Sequence, residues 1–279
     1  MKLAAVWLIA AVGAEAVLAG APPVLPIRKE EFVETLPVFT SGTHSNRHAV
    51  YQHEKFLAWI TAKGLLYVQP LDAGKPVGRT FSCMCVSPYY AAKGTTYGRR
   101  MKDFQEFGQP VVIPSNGGTV RFKGRLEEEV PFAVEYTFEG NCIRARGGCQ
   151  DRPSTKPPTR FRLLTQFGAT HRFKEDTPTE QIKAATAGMT LEVHLLDGKT
   201  TKTYPYWQGL KGIDGPCSEM IVRGVFGPRV LRFKPTGREG QLSGRVYTGF
   251  RLCQGYYISY TTQGKKINLR DTEVTMIVE

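Results

Sequence analysis

The 279-residue chain lacks the short motifs that announce common chemistries. It has no G-x-S-x-G nucleophile elbow, no H-E-x-x-H metal helix and no glycine loop of the nucleotide-binding kind. Gly237-Arg-Glu-Gly240 comes nearest to such a loop, but its neighbours do not read as strand and helix. There is no C-x-x-C pair and no histidine close to any of the six cysteines, so a structural zinc centre is not expected. No repeat of fixed period runs through the chain, which argues against a propeller or solenoid. Acidic residues are outnumbered by basic ones, 25 against 37, for a net charge of +12.

Long apolar runs are scarce too. Leu3–Val12 is uninterrupted, but it falls short of the ~20 residues a spanning helix needs, and Glu15 follows soon after. Lys2 before the run and small residues after it give the form of a secretory signal peptide over 1–19, with cleavage between 14 and 21. The expectation is an exported chain, secreted or periplasmic, with no transmembrane segment. Residues 22–279 then form one β-domain, with 22–108 a candidate for a separable N-terminal part.

An even cysteine count in an exported chain predicts disulfides. Cys142 and Cys149 flank Gly147-Gly148 and are expected to close a short loop, leaving Cys83 and Cys85 for Cys217 and Cys253.

Short alternating segments separated by Gly, Pro and polar turns fill the sequence. Thr119–Leu126, Pro131–Phe138 and Cys142–Arg146 read as a three-stranded meander, and Asp197-Gly198 as a tight hairpin turn. Ser87–Gly108 is less regular and reads as a long loop with one helical turn. Thr177-Pro-Thr-Glu180 predicts the start of a helix near 178–187, capped by Thr177 and ended by Gly188. The fold class expected is all-β: a large antiparallel β-sandwich with that one short helix. In outline this is similar to the large bacterial sandwiches that bind, epimerise or cleave sugars, a likeness of architecture with no shared motif behind it.

His44, His48 and His53 crowd into ten residues. On a strand, His44 and His48 stand about 13 Å apart and His53 points the other way, so the spacing takes them apart. The same period gathers Arg121, Lys123 and Arg125 on one face of the meander, with Arg144 and Arg146 two strands away and Arg160 and Arg162 as an extension. Glu135 is the acid expected among them. Arginine suits bidentate recognition of carboxylate and sulfate, so this face is the predicted docking surface for an acidic or sulfated polysaccharide rather than nucleic acid. Tyr206 and Trp207, in Tyr204-Pro-Tyr-Trp-Gln208, are the aromatics predicted to stack on sugar rings, with Tyr89-Tyr90 and Tyr256-Tyr257 as others.

Catalysis needs a tuned acid or base. His171 and His194 are the candidates, with Glu192 sharing a strand face with His194. The leading expectation is a secreted carbohydrate-binding protein without metal or cofactor. The second is a mutarotase-like or lyase-like enzyme using a histidine, and the third a structural cell-envelope protein.

Overall fold

The computed structural model describes residues 47–61, 64–90, 100–108, 111–113, 118–155, 157–167, 171–174, 176–208, 211–212, 216–247, 252–253 and 255–279. The segment expected to be a signal peptide and His44 lie outside the described residues.

The chain opens as a meander of β1 (Arg47–His53), β2 (Phe56–Thr61) and β3 (Leu66–Asp72), with β4 (Lys75–Pro76) folding back on β3. Gly64 turns the β2–β3 hairpin at φ +69°, a conformation that glycine adopts without steric cost. His53 ends β1 as a buried residue whose Nδ1 accepts the Lys55 N–H, so it serves a strand end. Next come β5 (Phe81–Val86), β6 (Tyr89–Tyr90), β7 (Arg100–Met101), β8 (Phe104–Phe107) and β9 (Val111–Ile113). The helical turn expected between Ser87 and Gly108 is absent among the described residues. The open edge of the following strand, β10 (Thr119–Leu126), draws β8 and β9 into extended pairing instead.

The predicted meander follows as β10, β11 (Val130–Glu139) and β12 (Cys142–Cys149). After it come β13 (Thr159–Gln166), β14 (His171–Arg172), the helix α1 (Thr179–Ala185), β15 (Thr190–Leu195) and β16 (Thr201–Pro205). The last third contains β17 (Lys211–Gly212), β18 (Cys217–Phe226), β19 (Arg229–Pro235), β20 (Gln241–Tyr247), β21 (Leu252–Cys253), β22 (Gly255–Gln263) and β23 (Glu273–Val278). Among the described residues α1 is the one α-helix. Its N-cap is Pro178 rather than Thr177, and Gly188 at φ +79° leads out into β15.

Every described pairing is antiparallel, in two runs. One run orders β10–β11–β12–β23–β19–β18–β15–β16. The other orders β1–β2–β3–β5–β13–β22–β20, with β17 beside β20. They join where Cys217 of β18 lies opposite Leu242 of β20. Aromatic contacts close the layers on each other: Tyr51 on Phe138 at 5.2 Å between centroids, Phe81 on Phe226 at 5.2 Å, Phe167 on Phe233 at 6.2 Å and Phe132 on Phe161 at 6.3 Å. Fully burying each such ring contributes about 1.5–3 kcal/mol, so this interior is the main source of stability. No helix among the described residues is long and apolar enough to cross a membrane.

The expected Cys142–Cys149 disulfide is overturned. The two residues occupy opposite ends of β12, and seven steps at ~3.3 Å set them roughly 23 Å apart, far beyond disulfide reach. Cys83, Cys85, Cys142 and Cys149 are free thiols. The glycines between Cys142 and Cys149 read as a turn, but they continue the strand because the Phe161 ring packs where a Cβ of Gly147 would stand.

Candidate functional site

The alternation in β10 sends Val120 and Phe122 into the core and Arg121, Lys123 and Arg125 outward. Their neighbours change the meaning of that face. Register places Arg121, Glu135, Arg146 and Glu273 in one row across β10, β11, β12 and β23, so charge alternates from strand to strand. The Arg121 Nε donates to Glu135 Oε2 at 2.9 Å, and Arg146 donates to Glu273. Arg144 pairs with Glu139, and Arg125 reaches both Glu106 and Glu129 at 2.7 Å. Lys123 stands exposed outside these pairs. Glu135 was foreseen among the arginines; Glu106, Glu129, Glu139 and Glu273 were not. The arginine face is therefore largely neutralised.

The same sheet surface continues to the acid–base candidates. Arg144 lies opposite Thr275, and Thr275 opposite Lys234, whose Nζ is 3.0 Å from Glu219 Oε1. Glu219 in turn faces His194 across β18 and β15. His194 Nε2 and Glu192 Oε1 are 2.6 Å apart. Arg223 Nε lies 3.4 Å from Glu192 Oε2, Arg232 Nη1 is 2.9 Å from Glu219 Oε1, and Arg232 Nε is 2.8 Å from Glu279 Oε1. The hydrogen bond from His194 is the main influence holding the Glu192 carboxyl below the usual carboxylate range, with burial opposing and Arg223 assisting. At Glu219 burial pushes upward, but the bonds from Arg232 and Lys234 outweigh it and the carboxyl is lowered. Arg223, Arg232 and Lys234 sit on strands remote in sequence, and their period-2 spacing along β18 and β19 is the signal that would have located them.

His171 is placed elsewhere. It lies in β14, paired only with β21 among the described strands, and its ring stacks on Phe173 at 5.7 Å with the planes 4° apart.

The predicted stacking platform is also redistributed. Tyr206 is fully buried and meets Tyr256 edge-on at 5.2 Å, so its ring faces core rather than solvent. This removes Tyr206 as a sugar-stacking residue. Trp207 is half-buried, with Lys183 Nζ 4.7 Å above its ring.

A groove does form on the outer surface of the other run. Register sets Tyr89, Arg160 and Gln263 in one row, Arg162, Thr261 and Gln241 in the next, and Ser259 and Ser243 in a third. A depression of about 390 Å³ opens there, lined by Tyr89, Arg160, Gln241, Ser243, Thr261 and Gln263, together with Gly240 and Thr262. Among the described residues no carboxylate lines it. Arg162 is engaged, with Nη2 2.7 Å from Ser87 Oγ and its guanidinium 5.0 Å over the Tyr89 ring. Arg160 is exposed at the wall and forms no ion pair among the described residues. Amides, hydroxyls, a phenol ring and an available guanidinium thus face one open space, a set that donates and accepts hydrogen bonds and attracts anions.

No protein-family model matches the chain, and no curated protein matches it in sequence. Several solved structures resemble it at the level of backbone, two of them as follows. The Slr1438 protein of Synechocystis sp. PCC 6803 aligns at TM-score 0.44 and 9% identity, over 81% of this chain and 92% of that one. A galactose mutarotase related enzyme from Lactobacillus acidophilus aligns at TM-score 0.32 and 10% identity, over 82% and 96% respectively. Likeness at this level carries no information about ligand or activity.

Proposed function

We propose that this is an exported carbohydrate-binding protein with a preference for anionic glycans, and that the groove across β13, β22 and β20 is its binding surface. The observation that supports this most is a lining free of carboxylates among the described residues, in which Arg160 stands beside Tyr89, Gln241, Ser243, Thr261 and Gln263. Sugar hydroxyls exchange hydrogen bonds with amides and hydroxyls, the apolar face of a pyranose packs on a phenol, and a guanidinium takes a carboxylate or sulfate in bidentate fashion. On this reading the Arg121–Glu135–Arg146–Glu273 row is a structural ladder, since its charges cancel in place. A panel of acidic and neutral polysaccharides, titrated at two salt concentrations, tests the proposal. Binding confined to acidic chains and weakened by salt supports it.

A second reading rests on the 2.6 Å contact between His194 and Glu192, an arrangement suited to general acid–base transfer on a sugar hydroxyl. Turnover or anomer interconversion of reducing sugars, lost in His194→Ala, would favour that reading.

A further inference from the structure

The strands that frame the groove carry its chemistry well beyond the depression itself. Along β13, buried Phe161, Leu163 and Thr165 alternate with outward Arg160, Arg162, Leu164 and Gln166. Along β22 the outward set is Tyr257, Ser259, Thr261 and Gln263. Register brings the far ends together: Gln166 lies opposite Tyr257, and its Nε2 donates to the Tyr257 hydroxyl at 3.0 Å. Ser82 of β5 stands on the other side of Gln166. Leu164, half-buried opposite Ser259, is an apolar surface between this polar end and the Arg160 end. Six steps along β13 at ~3.3 Å set Gln166 about 20 Å from Arg160, a span of several sugar rings.

Charge follows the same strands. β13, β22 and β20 contain no aspartate or glutamate at any position, and β5 and β6 beside them add none. The other run differs, with Glu135 on β11, Glu273 on β23, Glu219 on β18 and Glu192 on β15. The acid-free strip is therefore as long as the strands, and an acidic chain meets no strand carboxylate along it.

We propose that the ligand is an extended acidic oligosaccharide laid along β13 and β22, with Gln166 and Tyr257 forming a second subsite. This rests on the groove at Arg160 being the binding surface. An amide and a phenol exchange hydrogen bonds with sugar hydroxyls, while the Leu164 side chain offers the apolar contact that a pyranose face packs on. A free sugar acid or a disaccharide at Arg160 does not reach Gln166. A longer chain engages both ends, and its second contact is intramolecular, so affinity grows with chain length without any change at Arg160.

The test is calorimetric titration of the full chain with size-fractionated oligogalacturonates and heparin oligosaccharides, each of two, four and six sugars. The expected result is an affinity that rises at least tenfold from two sugars to six in a series that binds. Gln166→Glu places a carboxylate in the acid-free strip at an exposed position, and it should cut that gain to less than threefold. Tyr257→Ala should cut it likewise. Arg160→Glu should instead weaken binding at every length. Equal affinity at all lengths, or a gain that survives in Gln166→Glu or Tyr257→Ala, would overturn the extended site and leave the groove at Arg160 standing. No binding at any length in either series would overturn both.

Discussion

Glu135 accepts the Arg121 guanidinium from β10, Nε to Oε2 at 2.9 Å, while lying directly opposite Arg146 of β12. One carboxylate, almost fully buried at its base, thus sits between two arginines that a one-dimensional reading counts as free charge. Glu135→Gln removes it and leaves two like charges two strands apart. The expected outcome is a loss of about 1–3 kcal/mol in denaturant unfolding, together with stronger retention on a heparin resin. Unchanged retention would mean that the ladder does not neutralise this face.

The β8 strand is seated against β10 at a point where only glycine fits. An added Cβ on Gly124 would lie 2.3 Å from the Glu106 carbonyl oxygen and 2.6 Å from the Phe132 ring. Gly124→Ala is expected to destabilise by about 1–3 kcal/mol, with a fall of several degrees in Tm. A Tm equal to that of the parent would show that β8 can leave this edge without cost.

Stability should fall with acid in a defined direction. Glu192, Glu219 and Glu279 all have carboxyls held below the ordinary value of 4.5 in the folded state. A carboxyl depressed on folding contributes stability that is complete above its unfolded value and is lost as pH drops through the folded one. Urea midpoints are therefore expected to decline between about pH 5 and pH 2, and Glu192→Gln/Glu219→Gln should flatten that decline. An identical pH slope in parent and double variant would contradict the ion-pair account.

Cys83, Cys85, Cys142 and Cys149 are free thiols, so labelling of the unfolded, unreduced chain should find at least these four reactive. Fewer than four labelled cysteines would mean that one of them forms a disulfide after all.

Alternation alone located the strands of the meander. β10, β11 and β12 fall where period-2 spacing put them, and the Asp197-Gly198 turn joins β15 to β16 as expected. Local pattern suffices there because one face of each strand is buried. What the pattern could not supply was partnership. Glu273 is 127 positions from Arg146, and nothing near either residue announces the pair. The groove has the same origin, since Tyr89, Arg160, Gln241 and Gln263 become neighbours only through the β6–β13–β22–β20 pairings. Tyr206 was misplaced because an aromatic after a strand looks alike whether its ring turns to solvent or, as here, to Tyr256.

On the proposed function, anionic glycan binds at Arg160, which forms no ion pair among the described residues, and not on the paired arginine face. Calorimetric titration of an acidic polysaccharide into the parent, Arg160→Glu and Arg121→Glu proteins tests it most directly. At least a tenfold loss of affinity is expected in Arg160→Glu, with parent-like binding in Arg121→Glu. Loss confined to Arg121→Glu, or equal binding in all three, would contradict it.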